Sequence, residues 1–165
     1  MIRNAEMSDM IGIMEVVKET IQEMSLYNNY QWDENYPLAT DFAKDIKEGT
    51  LYVFEKAGVI AGFACINKEE PIEYNDLKWG LKEASFIIHR LAVRKIYRSK
   101  GIGEKLIKFA NDISKENGIR YIKTDTYSLN IKFQGLLEKC KYTFIGEIRF
   151  PGKEKQFYCY ERILK

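Results

Sequence analysis

Residues 85–117 read Ser85-Phe-Ile-Ile-His89-Arg-Leu-Ala-Val93-Arg-Lys-Ile-Tyr97-Arg-Ser-Lys-Gly101-Ile-Gly103-Glu-Lys-Leu-Ile-Lys-Phe-Ala-Asn-Asp-Ile-Ser-Lys-Glu-Asn117. From Phe86 to Val93 the run is apolar and β-branched, broken only by His89 and Arg90, which predicts a strand buried on both faces. From Gly103 the period becomes helical: Leu106, Ile107, Phe109, Ala110 and Ile113 share one side, and Glu104, Lys105, Lys108 and Asp112 the other. Between them lies Arg98-Ser99-Lys100-Gly101-Ile102-Gly103. Glycines at a strand-to-helix junction let backbone come close to a ligand, and the unpaired amides of a first helical turn attract anions. Five of the eleven residues from Arg90 to Lys100 are basic. The junction is a phosphate-binding turn.

Spacing narrows the ligand. A dinucleotide fingerprint needs a third glycine where this chain has Leu106, and no run fits a Walker A loop. What remains is R-x-x-G-x-G after a strand ending in Leu91-Ala92-Val93. That combination resembles the acetyl-coenzyme A signature of the GCN5-related N-acetyltransferases. The resemblance implies a single α/β (α+β) domain over residues 1–165, with a mixed, mostly antiparallel twisted sheet flanked by helices and strands splayed at the cofactor site. It implies acetyl-coenzyme A as cofactor, with Leu91, Ala92 and Val93 along the pantetheine. Arg98, Ser99, Lys100, Gly101, Ile102, Gly103 and Glu104 would lie on the pyrophosphate, and Asn130 and Phe133 near the cofactor arm.

The rest of the chain is consistent with one domain. Its 165 residues can bury roughly 70% of the unfolded surface. A net charge of +2, with basic residues gathered locally, gives no reason to expect nucleic-acid binding. Three widely spaced cysteines, Cys65, Cys140 and Cys159, fit neither a disulfide framework nor a metal site, and Cys140 and Cys159, with no basic neighbour in sequence, read as small buried hydrophobes rather than nucleophiles. No apolar run is long enough to cross a membrane, and the first residues lack a signal-peptide core, so a cytoplasmic protein is expected.

In chain order, the pattern predicts a strand at Ile2–Ala5 and a helix capped by Ser8 or Asp9, with Met10, Ile13, Met14, Val17, Ile21 and Met24 on its apolar side. An aromatic, amide-rich loop fills residues 27–38. A helix spans about Ala39 to Glu48, and strands Thr50–Glu55 and Val59–Ile66 form a hairpin. Residues 67–84 form a polar, acidic connection of unusual length, with a function or mobility of its own. A strand Arg120–Thr126, a helix after Asn130, and strands Tyr142–Phe150 and Gln156–Ile163, turning at Pro151-Gly152, complete the order.

A second family landmark is an asparagine followed by a helix bearing Leu-Tyr-Glu-Lys-Leu-Gly-Phe. Here Asn130, Glu138, Lys139 and the aromatic Tyr142 match, while Leu137 replaces the tyrosine and Lys141 the glycine. In many members that tyrosine protonates the departing thiolate. Without it, water serves, a phenol such as Tyr127 or Tyr160 takes over, or the chain binds acyl-coenzyme A without turnover. His89 is the only histidine. It is either a packed, hydrogen-bonded side chain or the base that strips the acceptor amine. The arylalkylamine acetyltransferases are similar here, with histidine before Leu-Ala-Val and a second where this chain has Ile87. Tyr30, Trp32 and Tyr36 either line an acceptor pocket or anchor their loop. Asp33, Glu34, Glu69, Glu70, Glu73 and Asp76 either draw a cationic amine or form a solvated face.

The function expected is acetyl transfer from acetyl-coenzyme A to a primary amine of a small molecule or peptide, in a ternary complex, by a monomer or homodimer. The alternatives are a silent acyl-coenzyme A module and an interaction protein using residues 67–84.

Overall fold

A computed structural model describes residues 1–165. Its elements are β1 (Ile2–Asn4), α1 (Met10–Leu26), α2 (Ala39–Lys47), β2 (Leu51–Lys56), β3 (Val59–Asn67), β4 (Phe86–Val93), α3 (Ile102–Glu116), β5 (Tyr121–Tyr127), α4 (Ile131–Lys139), β6 (Thr143–Ile148) and β7 (Phe157–Ile163). Short 3-10 turns at Met7–Asp9, Ile72–Asp76 and Lys95–Tyr97 join them. The strands form one mixed, mostly antiparallel sheet in the order β1-β2-β3-β4-β5-β7-β6. Contacts group the chain into two units, Met1–Ile66 with Arg90–Leu106, and Asn67–His89 with Ile107–Lys165. Strand β4 and helix α3 each contribute to both.

In the first unit β1 pairs antiparallel with β2, and β2 with β3, through a hairpin at Ala57-Gly58. Ile13, Val16 and Val17 of α1 and Phe42 of α2 close over Val53, Phe63 and Trp32. Met10, Met14, Ile21 and Met24 pack around this core only partly buried, because the 3.6-residue drift swings the stripe toward Val16 and Thr20. The second half of β4 lies beside β3, with the Arg94 amide donating to the Ala61 carbonyl at 2.7 Å. Gly62 makes that approach possible: a Cβ there would sit 2.8 Å from the Ala92 carbonyl oxygen.

In the second unit the first half of β4 runs parallel to β5, pairing Phe86 with Ile122, Ile87 with Lys123 and Ile88 with Thr124. The antiparallel β5–β7 ladder runs from Tyr121–Ile163 to Tyr127–Phe157, and β6 pairs with β7 across a register shift between Phe144 and Gly146. Connection 67–84 is pinned at Tyr74, only 1% exposed, while Glu69, Glu70 and Asp76 stay exposed. Successive residues on one face of β5 grip it: Tyr121 donates to Glu161, which also accepts the Gly80 amide, Lys123 meets Glu70 at 2.5 Å, and Asp125 accepts from Tyr74 at 2.6 Å.

Strand β4 differs from its expected burial. Phe86, Ile87 and Ile88 are buried, but His89, Arg90 and Leu91 are half-buried. The change coincides with Arg90, whose φ of 41° leaves the extended region. Lys141, at the family's glycine position, likewise keeps a left-handed φ of 65°.

Candidate active site

The phosphate turn belongs to the first unit. Arg98 is extended, Ser99 and Gly101 have φ of 57° and 77°, and α3 starts at Ile102, one residue before its expected start. Alternating backbone of this kind turns successive amides toward one concave side. The Lys105 amide closes the first helical bond onto the Gly101 carbonyl at 3.0 Å, so the amides of Ile102, Gly103 and Glu104 precede the helical ladder. No atom lies within 4 Å of where a Gly101 Cβ would be. Exposed Lys100, its ammonium 5.5 Å from the Tyr97 ring centroid, adds positive charge. These features fit a pyrophosphate.

Arg98 serves the turn in a different way. Its Nε donates to the Val93 carbonyl at 2.9 Å, and its guanidinium pairs with Glu23 of α1. It thereby ties the end of β4 to α1 and spends its charge inside the protein. Arg98→Ala would leave the Glu23 carboxylate, 16% exposed, without its cation. It is expected to lower the unfolding free energy by about 1–3 kcal/mol in urea titrations. An unchanged midpoint would deny the pair any stabilising role.

The aromatic loop 27–38 is split in its exposure. Trp32 is 4% exposed and stacks parallel to Phe63 at 6.3 Å, so it anchors the loop in the core. Tyr30 and Tyr36 are 49% and 37% exposed. The Tyr36 hydroxyl accepts from Arg90 at 2.9 Å, and the same guanidinium grips Asp45 of α2 at 2.6 Å. The irregular residue of β4 is thus clamped to α2 and to the loop.

In the second unit, His89 Nε2 lies 2.8 Å from Asn67 Oδ1. That oxygen also accepts the Glu69 amide at 2.9 Å, which identifies it as the amide oxygen. Nε2 therefore carries the proton, and in the neutral ring the basic lone pair is on Nδ1. One position beyond the last β4–β5 pair stands Asp125, partly exposed. Burial, with the Glu73 charge adding to it, pushes its carboxyl up to about 6 despite the bond from Tyr74. Sequence reading did not single it out. The available signal was an acidic residue inside a strand with apolar or paired neighbours on both sides.

The remaining candidates are enclosed. Tyr127 is buried with its hydroxyl accepting the Lys155 amide at 3.1 Å, and Tyr160 is buried with its phenol raised by burial. Leu137 is fully buried in α4. Asn130 caps α4, its side chain accepting the Phe133 amide at 3.2 Å. Thr126 is buried and its Oγ1 has no hydrogen-bond partner, a hydroxyl that an amide-bearing chain such as pantetheine would satisfy. Cys65 and Cys159 are buried and their thiols raised by burial, Cys65 to about 12.

The model of the Acetyltransferase (GNAT) family matches residues 17–142, the span that carries the turn, β4 and α4. The chain belongs to that family. GNAT enzymes are acyltransferases whose cofactor is acetyl-coenzyme A. A Staphylococcus aureus Mu50 structure assigned as an acetyltransferase is 34% identical, covering 100% of this chain and 99% of that one, with a TM-score of 0.79. A GNAT-family acetyltransferase of Streptococcus agalactiae 2603 shares the fold at 22% identity, with a TM-score of 0.88 and coverage of 100% and 95%. YncA of Salmonella typhimurium, assigned as an acetyltransferase and solved with its cofactor acetyl-CoA, has a TM-score of 0.72 at 15% identity, covering 100% of this chain and 94% of that one. No curated protein matches the chain by sequence. No helix of this GNAT protein is long and apolar enough to cross a membrane.

Proposed function

We propose that the protein transfers the acetyl group of acetyl-coenzyme A to a primary amine of a small-molecule or peptide acceptor, by direct attack in a ternary complex. The observation that carries this reading is the turn at Arg98–Gly103, where left-handed residues and the first amides of α3 form an anion cradle directly after an interrupted β4. Acetyl-coenzyme A, when bound, supplies an acyl carbon activated as a thioester. The turn residues Ser99 to Glu104 would hold the pyrophosphate through backbone amides, with Lys100 adding charge. Leu91, Ala92 and Val93 offer main-chain groups to the pantetheine, and Asn130 and Phe133 are assigned to the arm by their match to the family.

The amine must lose a proton to attack, and His89 is the base candidate, acting through Nδ1 while Asn67 holds Nε2. With no phenol at the family's tyrosine position, a proton for the departing thiol would come from water. Tyr127 and Tyr160 remain weak candidates for that donor because both are enclosed. Tyr30 and Tyr36 would line the acceptor side, with Trp32 fixing their loop. The protein would work as a single cytoplasmic domain, monomeric or homodimeric, without nucleic acid.

The test is an acceptor screen with acetyl-coenzyme A, read by mass spectrometry and by thiol release. An acetylated amine with stoichiometric thiol establishes the activity. A second reading, a silent acyl-coenzyme A module, rests on the buried Leu137 at the tyrosine position. Calorimetric binding of acetyl-coenzyme A with no thiol released across the panel would favour it.

A further inference from the structure

We infer that Asp125, held in place by Tyr74, is the anionic anchor for the ammonium of a cationic acceptor, and that it sets the protein's substrate class as small cationic amines. The inference rests on the acetyl-transfer reading and extends it to the acceptor.

The carboxylates of the molecule differ in what neutralises them. Asp45 meets Arg90, and Glu70 meets both Lys123 and Ser85. Glu161 accepts from Tyr121 and from the Gly80 amide. Asp125 accepts from a single neutral donor, the Tyr74 hydroxyl, at 2.6 Å on Oδ2. A carboxylate held by one neutral donor and still partly open to solvent keeps acceptor capacity for an incoming cation.

Its location agrees. Asp125 is the residue after the last β4–β5 pair, Ile88–Thr124, on β5, and His89, the base candidate, is the residue after it on β4. Tyr74 is fixed by its contact with the Trp79 ring, 4.9 Å between centroids, by burial among Ile87, Tyr127 and Cys159, and by the Trp79 indole donating to the Tyr74 carbonyl at 2.8 Å. The anchor is therefore rigid. Connection 67–84 contributes Tyr74 as the group that orients the carboxylate.

The titratable groups acting on Asp125 are Tyr74 and Glu73 from the 3-10 turn, with Cys159 paired to it on β7; Lys123 and Tyr127 lie two positions away on its own strand, and His89 follows the last β4–β5 pair. Lys123 is already paired with Glu70, and Glu73 adds negative charge. The folded carboxyl is raised above its ordinary 3.8 to about 6, so the anion, and amine affinity with it, is lost as pH falls through about 6.

The probes are butylamine, tyramine and spermidine, each added to coenzyme A-saturated protein and followed by saturation-transfer NMR, with thiol release from acetyl-coenzyme A measured in parallel. At least one probe should bind wild type, and Asp125→Asn should bind it roughly 10- to 100-fold more weakly, with coenzyme A affinity and thermal unfolding unchanged. Binding to wild type should weaken below pH 6. That step should persist in His89→Gln, vanish in Asp125→Asn, and move to higher pH in Tyr74→Phe, which removes the donor that favours the anion. Equal binding by wild type and Asp125→Asn, or no probe bound by wild type, overturns the anchor. Asp125-dependent binding without thiol release would uphold the anchor and defeat acetyl transfer. Thiol release with an unchanged acceptor KM in Asp125→Asn would do the opposite.

Discussion

Gly103→Val is expected to weaken coenzyme A binding roughly 150-fold in a protein that still folds. Gly103 is the second residue of α3, within the first turn whose amides precede the helical ladder. By helix propensity valine is no worse than the glycine it replaces, so the fold should survive. A pyrophosphate, by contrast, must come within about 2.9 Å of those amides. A branched side chain beside them holds it off. Loss of two charge-assisted bonds at about 1.5 kcal/mol each weakens binding roughly 150-fold. Gly103→Ala, with one methyl, should fall between the two. The measurement is calorimetric titration with coenzyme A, with circular dichroism as the control on folding. A folded Gly103→Val protein with wild-type affinity would remove the turn from the cofactor site, and with it the main support for acetyl transfer.

That turn was legible because it sits where a near-continuous apolar run gives way to a 3.6-residue period, and both glycines mark the change. The element order was legible for the same reason: most helices and strands carry an apolar side, and the hairpin turn at Ala57-Gly58 and the cap at Asn130 are local chemistry. What the sequence conceals is contact between distant residues. Nothing near Tyr74 announces that its hydroxyl meets Asp125, and nothing near Trp32 announces Phe63. Connection 67–84 reads as polar and acidic because most of it is exposed and its anchors, Tyr74 and Glu70, meet partners far along the chain. It has no apolar period, so periodicity passes over it.

Arg98 shows the same limit for charge. A cluster of basic residues before a glycine turn reads as a phosphate field, yet Arg98 and Arg94 each meet a glutamate of α1. Those glutamates, Glu23 and Glu15, lie on the polar side of a helix whose contacts depend on the fold. The site's positive charge thus falls to backbone amides and to Lys100 more than to the arginines. Leu137 is the converse case. Its departure from the family pattern is visible in the sequence, and its full burial shows the position filled by packing.

His89→Gln is expected to lower turnover by roughly 10²–10⁴-fold, the usual contribution of a general base, while leaving coenzyme A affinity unchanged. The substitution isolates chemistry from structure because of the geometry at Asn67. Nε2 donates to an amide oxygen that also takes the Glu69 amide, and a glutamine side-chain NH2 can replace that donor. What glutamine lacks is a basic lone pair. If Nδ1 takes the amine's proton, kcat falls. If His89 only braces Asn67 and the start of connection 67–84, glutamine should cost little in either turnover or stability. Asp125 provides the internal contrast. Its replacement by asparagine should raise KM for the amine with a smaller change in kcat, whereas His89→Gln should lower kcat with KM nearly unchanged. The double variant should combine a binding defect with a chemical one. Wild-type kcat in His89→Gln at every pH tested would assign the proton to water or to prior ionisation of the amine in solution. It would leave Asp125 as the one side chain in this part of the molecule that still selects the acceptor.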